Sequence, residues 1–132
     1  MRFLLDTDIC IGILRGRASL LERLRSQRPD DCGISTVSIF ELLSGVERCR
    51  RPDEEREKVE KFLEPLHLLP FDHESARRTA SIRWHLEKAG TPIGPYDLQL
   101  AGQALALDVT LVTGNIREFS RVPDLKFESW ME

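Results

Sequence analysis

Phe3-Leu4-Leu5-Asp6-Thr7-Asp8-Ile9 is the stretch from which the architecture is read. Arg2-Phe3-Leu4-Leu5 is apolar after its arginine, too short for a helix, and closed by an acid, which describes a buried strand. In a parallel sheet the carboxyl ends of such strands open into the ligand crevice, so Asp6 stands where a ligand would. A carboxylate attached to a buried strand is costly unless it is paired, hydrogen-bonded or metal-bound. Asp8 points to the same side if the chain stays extended. It also reads as the cap of a helix beginning at Ile9.

Further short apolar runs follow, separated by helical patterns. Residues 9–14 and 20–28 read as helical pieces broken near Gly16 and stopped by Pro29-Asp30-Asp31. Cys32-Gly33-Ile34-Ser35 is a second strand, and residues 39–49 form a helix with Ile39, Leu43 and Val46 on one face. Residues 53–64 are a charge-rich, solvated helix, 66–71 a strand, and 73–89 a long amphipathic helix closed by Gly90-Thr91-Pro92. An Ala-rich helix over 96–107 precedes the apolar strand Thr110-Leu111-Val112-Thr113. Phe127 and Trp130 suggest a last short strand or packed tail. Strands alternating with helices, without hairpin turns, predict an α/β fold: one domain over residues 1–132 with a mostly parallel sheet flanked by helices.

Composition narrows the function classes. The chain has 132 residues, 41% hydrophobic and 31% charged, with a formal net charge of -3. That balance excludes a disordered or fibrous chain. Charges interrupt every apolar run well before the roughly 18 residues needed to cross a bilayer, and no signal peptide is read, so a soluble cytoplasmic protein without membrane contact is expected. Cys10, Cys32 and Cys49 are isolated and odd in number, which disfavours a disulfide or zinc framework. Residues 15–28 carry Arg15, Arg17, Arg23, Arg25 and Arg28 against Glu22, an excess of +4 suited to a polyanion or to a solvated helix face.

The acids are more specific. Ser38-Ile39-Phe40-Glu41 has capping-box spacing. Yet Ser38, Glu41 and Gly45 also form a polar and small stripe that leaves room above the carboxylate. Asp97 follows Pro95 in a first helical turn, where the dipole favours an acid. It also heads an Asp97, Ala101, Ala104 stripe able to pack on the sheet. Asn115 and Glu118 follow the strand at 110–113, and could simply form its turn. These are oxygen ligands from two strand ends and two helix starts, the donor set of Mg²⁺ or Mn²⁺. His67, His73 and His85 share no motif, so zinc is disfavoured.

Four blocks now resemble one family: Phe3 to Ile9, Ser38-Ile39-Phe40-Glu41-Leu42, Ile93-Gly94-Pro95-Tyr96-Asp97, and Leu111-Val112-Thr113-Gly114-Asn115-Ile116-Arg117-Glu118-Phe119. Their order and distances are similar to those of the PIN-domain ribonuclease toxins of the VapC type. The resemblance implies a PIN-like fold with acids converging at the carboxyl edge of the sheet. It implies Asp6, Glu41 and Asp97 as catalytic metal ligands, with Asn115 or Glu118 completing the site, Thr7 and Thr113 orienting ligands, and one ion held rather than two. It further implies Mg²⁺- or Mn²⁺-dependent cleavage of RNA such as tRNA. The implied partners are a VapB-type antitoxin blocking the groove, and a second copy in a homodimer or larger toxin–antitoxin assembly. Two alternatives stand beside it: an inactive α/β binding module, and an aspartate-nucleophile phosphatase suggested by Asp6-Thr7-Asp8.

Overall fold

The structure, a computed structural model, describes residues 1–131. Its strands are β1 (Phe3–Leu5), β2 (Cys32–Ser35), β3 (His67–Leu69), β4 (Thr110–Val112) and β5 (Phe127–Glu128). Its α-helices are α1 (Thr7–Leu14), α2 (Ala18–Arg25), α3 (Thr36–Arg48), α4 (Pro52–Leu63), α5 (His73–Ala89), α6 (Pro95–Leu107) and α7 (Ile116–Phe119). The strands form one sheet in the order β3-β2-β1-β4-β5, and every pairing is parallel. The expected sheet is thus wholly parallel.

Side-chain alternation along the strands divides the core in two. Phe3, Leu5, Ile34 and Val112 face a cluster built with α1 to α4, joined by the fully buried Trp130, whose ring meets Phe3 edge-on at 5.4 Å. Leu4 and Leu111 face the opposite cluster, packed by Ile82 and Leu86 of α5, Ala101 and Ala104 of α6, and Phe119 of α7. Both faces are therefore covered, as a parallel sheet requires. Cys10 and Cys32 lie in the first cluster as free thiols, and burial holds both well above the ordinary thiol range.

Two helix starts differ from expectation for one physical reason: the strands pass straight into helices with no connecting loop. Asp6, not Asp8, caps α1, because Leu5 is still in the sheet and Thr7 is already helical. Ser35, not Ser38, caps α3 by accepting from Val37 N at 3.0 Å, which frees Ser38 to point inward. The capping-box reading of Ser38 and Glu41 is thereby corrected. The short α7 lies in what reads as turn sequence, since four residues carry too little periodicity to announce a helix. Among the described residues, no helix is long and apolar enough to cross a membrane.

One close approach fixes the helix layer over the second cluster. A Cβ at Gly102 of α6 would run into the Thr79 hydroxyl of α5 and lie 2.8 Å from Thr79 Cα, so the helix backbones touch there. Gly102→Ala should therefore lower unfolding stability by a net of about 1 kcal/mol or more, overpacking outweighing the helix-propensity gain. Urea denaturation reads this directly; a raised midpoint would contradict the contact.

Candidate active site

β1 has β2 on one side and β4 on the other, so the chain changes direction across the sheet at β1. The carboxyl edge at such a switch point is where open α/β sheets bind ligands. Asp6 sits on it: its N–H continues the ladder to Val112 O at 2.9 Å, and its residue exposure is 5%. Asp6 Oδ1 accepts from Thr7 N at 2.7 Å, and Oδ2 accepts from the Thr113 hydroxyl at 2.7 Å. Each oxygen of this buried carboxylate therefore has a donor.

The second acid comes from α3. Thr7 Oγ1 donates to Glu41 Oε1 at 2.6 Å and lies 2.9 Å from the buried Ser38 Oγ, binding the start of α1 to the second turn of α3. The third comes from α6, where the fully buried Ala101 and Ala104 hold the helix against the sheet below Asp97. Asn115 Nδ2 donates to Asp97 Oδ2 at 3.2 Å and also to Glu118 Oε2, so the amide bridges the two carboxylates. Glu118 Oε1 also accepts from Gly94 N at 3.4 Å, next to the start of α6. All five residues expected at the site thus lie on one hydrogen-bond network at this edge: Thr7 links Asp6 to Glu41, Asn115 links Asp97 to Glu118, and Asn115 N–H donates to the Thr113 hydroxyl at 2.9 Å, joining the two halves.

The groups influence one another electrostatically. Burial, followed by the negative charge of Asp8, pushes the Asp6 carboxyl up to about 7; Asp97 adds to the rise and the Thr113 and Thr7 hydrogen bonds oppose it. Burial, then the charge of Glu118, raises Asp97 to about 6, and Glu41 contributes in the same direction. Glu118 moves the other way, held low chiefly by the Asn115 hydrogen bond. The site is a concentration of like charge that only partly ionises by itself.

The sequence offered Asp8 either as a neighbour of Asp6 on an extended chain or as a helix cap, and its place is different from the cap. Its Oδ2 accepts from Gly114 N at 2.9 Å, tying the first turn of α1 to the loop that carries Asn115. A Cβ at Gly114 would lie 2.7 Å from that oxygen and crowd the Met131 side chain, so any larger residue there would have to displace the Asp8 carboxylate and Met131. Asp8 Oδ1 is buried without a partner. Among the described residues, no three acidic, histidine or cysteine side chains stand together as a ready-made metal-binding group.

A sequence profile of the PIN domain matches residues 3–125, and the chain belongs to the PIN-domain family. Within it, the chain is similar to VapC proteins. It is 36% identical over 131 residues to the tRNA(fMet)-specific endonuclease VapC of Salmonella typhimurium, with 98% of each chain covered. It superposes on the crystal structure of DNA-bound VapBC from Salmonella typhimurium with a TM-score of 0.94 at 35% identity, covering 98% of each chain. It also superposes on VapBC2 of Rickettsia felis, bound to a DNA fragment from its promoter, with a TM-score of 0.93 at 32% identity, covering 98% of this chain and 99% of that one. The phosphatase alternative finds no lysine for its site: Lys58, Lys61 and Lys126 pair with Glu55, Glu57 and Asp108, and Lys88 lies over the Trp84 ring.

The raised Asp6 value has a consequence for stability. Its folded pKa of about 7 lies above the ordinary 3.8, so its contribution is complete below about pH 3.8, declines as pH rises, and is lost once pH passes about 7. Asp6→Asn keeps the acceptor for Thr7 N–H and removes the charge. In chelator at pH 8 it should melt about 3–8 °C above the unsubstituted protein, a gain that shrinks at pH 5. An equal difference at both pH values would show that the Asp6 charge is not opposed by its surroundings.

Proposed function

We propose that this chain is an endoribonuclease toxin of the VapC type, hydrolysing phosphodiester bonds of RNA with Asp6, Glu41 and Asp97 as the acids that hold a divalent cation. The observation that supports the reading is that Thr113, Thr7 and Asn115 tie Asp6, Glu41 and Asp97 to the carboxyl edge around β1 in a chain belonging to a nuclease family. PIN-domain nucleases generally depend on divalent metal. The donors here suit it, being oxygen alone from carboxylates and hydroxyls, which favours Mg²⁺ or Mn²⁺ over zinc. Raised Asp6 and Asp97, together with the unpartnered Asp8 Oδ1, mark negative charge that a cation would relieve. Bound there, such a cation would supply positive charge toward the phosphodiester and a water of lowered pKa.

The chain's own residues do the positioning. Thr113 and Thr7 N–H fix the Asp6 carboxylate, and the Thr7 hydroxyl sets Glu41 relative to it. Asn115 adds no charge; it orients Asp97 and Glu118 through one amide. Both residues therefore serve the fourth corner, Asn115 as the bridge and Glu118 as the acid. The RNA class we infer is structured RNA such as tRNA, in line with the name of the Salmonella relative. The partner is a VapB-type antitoxin, since the superposed structures are VapBC complexes. Self-association into a homodimer or a larger toxin–antitoxin assembly completes the reading.

Purified chain incubated with total RNA should cut it with Mg²⁺ or Mn²⁺ and not with EDTA. Asp6→Ala and Asp97→Asn should each lose at least about 100-fold in rate while keeping the wild-type far-UV circular dichroism. Cleavage undiminished by EDTA, or variants that cut normally, would contradict the assignment.

A further inference from the structure

Two large aromatic residues are left in solvent beside the acids. Phe40 is 54% exposed and Tyr96 is 42% exposed, although α3 and α6 each bury their other face. Phe40 immediately precedes Glu41 on α3, and Tyr96 immediately precedes Asp97 on α6. The two rings meet edge to face, with centroids 5.8 Å apart and planes at 63°. The ring pair thus joins the two helices that carry Glu41 and Asp97, each ring's residue being next in sequence to the acid, and the charge of Glu41 is felt at Asp97.

Core packing does not account for this pair, because both residues remain largely exposed. An edge-to-face contact engages the face of only one ring and leaves flat apolar surface open to a third. The rings stand outside the apolar cleft of about 610 Å³ that Trp84, Ile93 and Leu98 line between α5 and α6. They occupy an open surface beside carboxylates instead. A polynucleotide whose phosphodiester sits at those carboxylates carries a base within reach on either side. Every base offers a π-face, and stacking on aromatic side chains is how single-stranded nucleic acid is held without sequence readout. An acidic site repels the phosphate backbone, so base stacking is a source of affinity that the carboxylates cannot supply.

We propose that Phe40 and Tyr96 form a stacking platform for the unpaired base next to the phosphodiester that the acidic site cuts. The platform rests on the ribonuclease reading above and adds to it where the substrate is held.

The test uses the RNA that the purified full chain cuts in Mn²⁺, remade as a synthetic oligonucleotide spanning the cut. It is made intact, and with an abasic ribose on one side of the cut or the other. Phe40→Ala and Tyr96→Ala should raise KM for the intact substrate roughly 5- to 100-fold, with a much smaller change in kcat. One of the two abasic substrates should cost the unsubstituted protein a similar factor, and the same substrate should cost the alanine variants little more. Tyr96→Phe, which keeps the ring, should recover the loss. Thermal melting of the variants separates lost binding from lost fold. Unchanged KM, or abasic and alanine losses that multiply, would overturn the platform. So would variants that cut RNA normally but no longer bind a VapB-type antitoxin, which would assign the pair to a protein contact. Absence of any RNA cleavage by the unsubstituted chain would overturn the ribonuclease reading itself, and the platform with it.

Discussion

The site depends on β1 ending in a helix with no loop between them. Leu5 belongs to the sheet and Thr7 to α1, so Asp6 is held by both at once, its backbone in the β4 ladder and its side chain at the cap of the helix. A carboxylate so placed cannot swing out to water, and burying it without partners would cost several kcal/mol. Thr113 at the end of β4 and the Thr7 N–H answer that demand. The same short junction lets Asp8 reach Gly114, so the loop bearing Asn115 is fixed to the first turn of α1. Trp130 and Met131 pack behind, the first in the core beneath Phe3 and the second against the space a Gly114 side chain would need.

Several acids can gather there because the fold supplies donors of positive character. Asp6 caps α1, while Asp97 and Glu118 lie in the first turns of α6 and α7, where helix dipoles favour negative charge. Each effect is worth roughly 0.3–1 kcal/mol when exposed, too little to offset burial and mutual repulsion together. The raised Asp6 and Asp97 values register that deficit. A structure concerned with stability alone would have neutralised one of these residues. Retaining them leaves negative charge gathered at this edge, which the proposed cation would offset.

Much of this was legible in the sequence, and the rest was hidden for identifiable physical reasons. Strands ending in Asp6, Ser35 and Thr113 could be read because a short apolar run closed by a polar residue is too brief for a helix and too apolar for a surface loop. The Asp97, Ala101, Ala104 stripe predicted a helix pressed on the sheet, and the alanines are buried as expected. Caps were misplaced at Asp8 and Ser38 because capping patterns assume a loop before the helix, and here none exists. Whether Asn115 or Glu118 matters could not be separated by residue type; a single amide donating to two carboxylates is a tertiary fact. Phe40 and Tyr96 lie far apart in the chain and share no pattern, so only the packing of α3 near α6 brings their rings together.

Carboxylates from three separate segments sharing one cation at the carboxyl edge of β1 would give this site its chemistry. Anomalous diffraction from crystals grown with Mn²⁺ tests that sharing directly. A single peak is expected within about 2.0–2.3 Å of oxygens from Asp6 and Asp97, with Glu41 turned toward it directly or through water. A map with no peak there, or with manganese bound only at surface acids such as those of α4, would contradict it.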